Sequence, residues 1–123
     1  MIYDFLVVLM TTNLQEQVKF YKDILQLELI IDNQDTIGLG QEGRLFIVLR
    51  EDKDEDSHHL ATQKGPQIIT FKCHGNIDET SNKIEQAGYK VRDKLTLSKH
   101  NVQYLFIEDF DANEICLEFP VKG

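Results

Sequence analysis

An internal repeat constrains this chain more than any single motif does. The segments VVLMTTNLQEQVKFYKDIL (7–25) and IITFKCHGNIDETSNKIEQAG (68–88) both run from an apolar strand through an Asn and an aliphatic residue into an amphipathic helix. Three short β-like runs follow each helix: LELIID, TIGLG and RLFIVLR in the first half, KVRDKLTL, VQYLFIED and EICLEFP in the second. Each half therefore reads βαβββ, and the halves repeat at roughly 60 residues, a period at which neither unit buries its apolar surface alone. In the first half Asn13 can cap a helix and Glu16 stands three positions later. With Leu14, Val18, Tyr21 and Leu25 at helical spacing, this predicts one helix from Asn13 to about Gln26. Gly88 stops the second helix. Asn33-Gln34-Asp35 and Gln41-Glu42-Gly43 read as hairpin turns. The polar stretch EDKDEDSHHLATQKGP (51–66) joins the halves, giving a single domain over 1–123 with units at about 1–52 and 66–123.

The fold class predicted is α+β: two βαβββ units build a curved mixed sheet, helices on its outer face, with a concave cavity on the other. Strand alternation then selects the residues that face the cavity. Leu6, Val8 and Met10 share one face of the first strand, and Ile68 and Thr70 answer them from the second unit. On the last strand Cys116 and Glu118 lie opposite Ile115, Leu117 and Phe119. Tyr104 and Phe106 alternate with Leu105 and Ile107, and one pair faces the cavity. Aromatic rings there would stack on a planar or cationic ligand, and Glu118 could hold a cationic group or act as a base. These residues define a site for a small apolar or cationic molecule.

Composition narrows the partners. A formal charge of −8 disfavours nucleic acid and anionic membranes. No apolar run reaches the roughly 18 residues of a membrane span. FLVVLM, preceded by Asp4 and without a basic flank or cleavage site, reads as a buried strand rather than a signal peptide. Cys73 and Cys116 are the only cysteines and form no CxxC pair. A chain of this length needs no disulfide, and a reducing cytoplasm is expected.

Other reactive side chains do not assemble into a catalytic constellation. His58 and His59 are adjacent and diverge on an extended segment. Asp52, Asp54 and Asp56 have the alternation of a calcium loop, but Ser57 replaces its Gly and Gln63 its terminal Glu. His100, in the SKHN turn, and His74, before the second helix, read as surface and turn residues. A catalytic role for Cys116 would require a lowered pKa from a neighbouring base or positive charge.

TTNLQEQVKFYKDILQLEL and FIEDFDANEICLEF resemble the helix and the closing turn–strand motif of the vicinal oxygen chelate superfamily, which includes glyoxalase I, extradiol dioxygenases, and fosfomycin and bleomycin resistance proteins. The resemblance covers nearly the whole chain and implies the same βαβββ repeat. It also implies where a divalent metal is held in family enzymes: four side chains, on the first and last strands of each unit. Those positions fall here on Leu6, on Ile47 or Val48, on Ile68 or Gln67, and on Cys116. Aliphatic side chains offer no lone pair and one thiol cannot hold zinc alone, so no metal and no cofactor is expected. Phe110 and Ala112 stand where the family's turn usually has Pro and Gly, implying a different turn geometry. The function implied is that of a metal-free, homodimeric binder of small molecules, in the manner of bleomycin resistance proteins, rather than an enzyme. One alternative is a metal-dependent lyase, isomerase or dioxygenase with ligands such as Glu118, Glu51 or His100. Another is a protein with a filled cavity and a role in assembly or regulation.

Overall fold

The computed structural model describes residues 1–51 and 68–121. The chain divides into two compact units, Met1–Gln63 and Lys64–Gly123. The histidine pair, the failed calcium pattern and Gln67 lie outside the described residues.

In the first unit, β1 (Val7–Thr11) leads to α1 (Leu14–Lys19) and a wider π-helical turn (Phe20–Ile24), then to β2 (Glu28–Asp32), β3 (Thr36–Gln41) and β4 (Arg44–Glu51). These strands form a four-stranded mixed sheet in the order β1-β4-β3-β2, with β1 parallel to β4 and the other pairs antiparallel. In the second unit, β5 (Ile69–Lys72), α2 (Ile77–Gln86), β6 (Val91–Leu97), β7 (Val102–Glu108) and β8 (Glu114–Pro120) repeat the scheme. Their order is β5-β8-β7-β6, again with one parallel pair, β5 with β8. The sequence repeat is therefore a repeat of topology.

Local chemistry accounts for the elements. Asn13 caps α1 by accepting from the Glu16 N–H at 3.2 Å, and Asn76 caps α2 by accepting from Asp78 and Glu79 at 2.9 and 3.0 Å. Gly88 ends α2 at φ 88°. Glu42 and Gly43 form the two-residue β3–β4 turn at φ 52° and 76°, the handedness that matches strand twist.

The first helix departs from the single α-helix predicted for 13–26. Successive residues of an α-helix point about 100° apart, so burying both of the adjacent aromatics Phe20 and Tyr21 takes a broad apolar face. The wider turn, closed by the Leu25 N–H on the Phe20 carbonyl at 3.1 Å, accompanies full burial of both rings, packed edge to face at 5.0 Å. The first strand is also shorter than the apolar run: Phe5 and Leu6 precede it and stand exposed.

Each unit has its own core on the helix side of its sheet. Phe20, Tyr21, Leu39, Ile47 and Leu49 are sealed in the first; Ile84, Leu105, Ile107, Ile115, Leu117 and Phe119 in the second. No helix of the described residues is long and apolar enough to cross a membrane.

Candidate functional site

Strand register in the second unit decides which side chains share the face away from α2. Leu105, Ile107, Ile115 and Leu117 are buried on the helix side, where Lys94 of β6 also pairs with Asp78 of α2. Their alternates meet on the open face. Thr70 stands opposite Cys116, and Cys116 opposite Phe106. One step along, Lys72 stands opposite Glu118, Glu118 opposite Tyr104, and Tyr104 opposite Leu95. Ile68, two residues before Thr70 and 44% exposed, continues the face beyond the strand.

These groups interact. Tyr104 stands opposite Glu118; desolvation first, then the Glu118 charge and a hydrogen bond to its side chain, push the Tyr104 pKa up, so the phenol keeps its proton. The Tyr104 and Phe106 ring centroids lie 6.2 Å apart, tilted by 40°. Burial, the largest influence, raises the Cys116 thiol, the Glu118 charge raises it further, and a hydrogen bond from Thr70 only partly offsets them. Cys116 is thus a protonated, buried thiol and not an activated nucleophile. Cys73 extends the β5–β8 ladder, its N–H reaching the Glu118 carbonyl at 2.7 Å. Burial, and then the neighbouring Cys116, push its thiol up to about 11.

A third row is ionic. Arg92, in the bulge of β6, pairs with Glu114 and lies 3.9 Å from Glu108, which Lys90 approaches at 4.0 Å. Neither this cluster nor Lys72 was singled out from sequence, because both follow from cross-strand register rather than from spacing along one strand.

The open face of the first unit is apolar. Val8 pairs with Val48, and Leu6 and Met10 flank Val8 at two-residue spacing. Leu6 and Val8 are 50% and 45% exposed. The register also separates Ile47 from Val48 by face. Val48 shares the face of Val8, whereas Ile47 turns to the sealed side with Leu39. The two units match in this respect: Leu6 precedes the partner of Val48 by two residues, as Ile68 precedes the partner of Cys116. A separate groove of about 520 Å³ lies where α1 meets the β2–β3 turn, with Leu14, Val18 and Ile37 at its floor and Asp32, Asn33 and Gln34 at its rim. His100 and His74 are exposed, His100 in a short helical turn (Ser98–His100) before β7.

The closing turn supports the site. Asp109, 4% exposed, accepts from the N–H groups of Asp111 and Asn113 at 3.0 and 2.9 Å, and from Asn113 Nδ2 at 2.9 Å. Ala112 sits at φ 63°, the left-handed conformation that glycine adopts without cost.

The chain matches the model of the Glyoxalase/Bleomycin resistance protein/Dioxygenase superfamily over residues 5–117, and it belongs to that superfamily. No curated protein matches it. Among solved structures it is similar to the fosfomycin resistance protein FosX from Listeria monocytogenes: TM-score 0.77, 18% identity, covering 98% of this chain and 96% of that one. A hypothetical protein from S. aureus gives 0.74 at 23% identity, covering 99% and 95%. Lactoylglutathione lyase from Agrobacterium tumefaciens gives 0.69 at 13% identity, covering 95% and 92%. At these identities the likeness is one of fold.

Metal chemistry in this superfamily makes the donor set decisive. Leu6, Ile47, Val48 and Ile68 carry no donor atom, the alternative Gln67 lies outside the described residues, and the Cys116 thiol holds its proton. A hard divalent cation needs several oxygen or imidazole ligands, and a softer one needs a thiolate with companions. Among the described residues no group of three or more His, Cys, Asp or Glu side chains could hold a metal ion. The residues at these positions do not fit the group.

Proposed function

We propose that this protein binds a small organic molecule, apolar or cationic, on the open faces of its sheets, and that it does so without a divalent metal. What supports the reading is the donor set where the resemblance puts the family's metal ligands: Leu6, Ile47 or Val48, Ile68 or Gln67, and Cys116, a buried thiol that keeps its proton. The faces around them are nonetheless not closed over. Val8 and Ile68 are 45% and 44% exposed, and Tyr104, Phe106 and Glu118 are half-buried. Leu6, Val8 and Met10 supply apolar contact in the first unit; Ile68, Thr70, Tyr104, Phe106, Cys116 and Glu118 supply mixed contact in the second. A cytoplasmic homodimer that contacts neither nucleic acid nor membrane fits this reading and the charge of −8.

The test is a thermal-stability screen of chelator-treated protein against small organic compounds, because a ligand that binds only the native state raises the melting temperature. Shifts that persist in chelator, unchanged by added manganese or zinc, are the expected result. Shifts that vanish in chelator and return with one metal would make it a metal-dependent member of the superfamily. The absence of any shift across a broad panel would leave the assembly reading in its place.

A further inference from the structure

Glu118 stands in the row of Lys72, Tyr104 and Leu95 on the second unit's open face, and its surroundings are unusual for a carboxylate. It is half-buried, yet no basic side chain among the described residues pairs with it. Arg92, at the Glu108–Glu114 end of the face, is committed to those two acids. Lys72 stands opposite Glu118 in register but is exposed and forms no ion pair with it. The partner Glu118 does have is neutral: the phenol of Tyr104 stands opposite it across the β7–β8 pair, and a hydrogen bond to Glu118 helps to raise that phenol's pKa. A carboxylate has two oxygens and about four lone-pair directions, so one phenol leaves most of its accepting capacity unused. Beside it the half-buried rings of Tyr104 and Phe106, 6.2 Å apart, form an apolar shelf with electron-rich faces. The remaining charged groups of the face, Asp93, Glu108 and Glu114 against Arg92, Lys90 and Lys72, balance one another, so Glu118 leaves it negative.

Resting on the small-molecule reading above, we infer that the second unit selects a flat organic cation, an arylamidine or aryl-ammonium, whose N–H groups meet Glu118 while its ring lies against Tyr104 and Phe106. Each part of the face then has a task. The carboxylate supplies the counter-charge that the protein itself withholds, and Tyr104 holds one carboxylate oxygen in place. Phe106 and the non-polar side of Cys116 exclude water from the pair. An anionic ligand would meet Glu118 unshielded. A neutral one would leave the half-buried carboxylate without a counter-ion. Charge-assisted contacts of an amidinium with a carboxylate are bidentate and short, so the preference should be large.

The test uses a matched pair, benzamidine and benzamide, which share shape and differ in charge. Binding to the intact, chelator-treated chain is followed by isothermal titration and by chemical-shift changes at Thr70, Tyr104, Phe106 and Cys116. The expected result is that benzamidine binds at least about tenfold more tightly than benzamide, and that Glu118→Gln removes this preference. Phe106→Leu, which keeps an apolar side chain, should weaken both compounds alike. Equal binding of the pair, or a preference that survives Glu118→Gln, overturns the cation assignment and leaves small-molecule binding standing. Binding of neither compound also overturns it, and the small-molecule reading itself falls only if the wider panel is silent as well.

Discussion

Replacing Asp109 with Ala should weaken the fold by about 3 kcal/mol, although Asp109 touches none of the proposed ligand contacts. The carboxylate accepts three hydrogen bonds at 2.9–3.0 Å and is 4% exposed. A typical intramolecular hydrogen bond contributes about 1 kcal/mol net, and more when one partner is charged, but part of that is offset by the desolvation of the carboxylate that the substitution relieves. Three bonds at about 1 kcal/mol each give the estimate, and the uniform entropy of unfolding per residue converts it to a fall in melting temperature of about 10 °C. Asp109→Asn keeps one oxygen for the two backbone N–H groups but turns an NH2 toward Asn113 Nδ2, so it should cost about half as much. Urea unfolding of the three proteins, with a common m-value, measures both differences. An Asp109→Ala protein within about 0.5 kcal/mol of the parent, or an Asn variant as damaged as the Ala variant, would refute the reasoning. The turn holds β7 against β8, so its loosening should also disturb the pairing of Tyr104 with Glu118 and of Phe106 with Cys116.

Ala112→Gly, three residues along at φ 63°, should stabilise the protein slightly, by about 0.5 kcal/mol. Relief of left-handed strain exceeds the added freedom of the unfolded chain, and the same urea titration reads it. Gly40→Ala should destabilise by about 2–3 kcal/mol, because a Cβ there would lie 1.7 Å from the Arg44 carbonyl oxygen beside the β3–β4 turn; thermal melting gives the value. Cys73, pushed up to about 11 by burial, binds its proton more tightly folded than unfolded. Its contribution to stability is therefore complete below pH 9 and lost as pH rises from 9 to 11, and Cys73→Ala should flatten that part of a stability-against-pH curve.

Much of this architecture was legible from residue order because period, caps and turns agreed with one another. Asn13 and Asn76 start the helices where their side chains can accept, and the alternation of EICLEFP separates Cys116 and Glu118 from Ile115, Leu117 and Phe119. RLFIVLR was less readable. Four consecutive apolar residues have no period-2 contrast, so only the pairing of Val8 with Val48 distinguishes Val48 from Ile47. The widened turn at Phe20 was hidden for a related reason, since helical spacing alone does not register that two adjacent rings must both be buried. The Arg92 cluster and the neighbourhood of Lys72 depend on which strand lies beside which, and on a bulge in β6 that alternation does not announce. In Asp109 an Asx pattern was present in the sequence, but an acidic turn residue reads first as a solvated one.

The loss of the metal site is the claim on which the functional reading depends, and metal content tests it most directly. Protein purified without chelator and without a nickel column is analysed for metals as isolated, then after incubation with zinc, manganese and iron(II) and removal of excess. The donor set at Leu6, Val48, Ile68 and Cys116 predicts no more than about a tenth of an equivalent of any of them. A single metal retained at about one equivalent, and lost on Cys116→Ala or Glu118→Gln, would contradict it and make the protein a metal-dependent member of its superfamily.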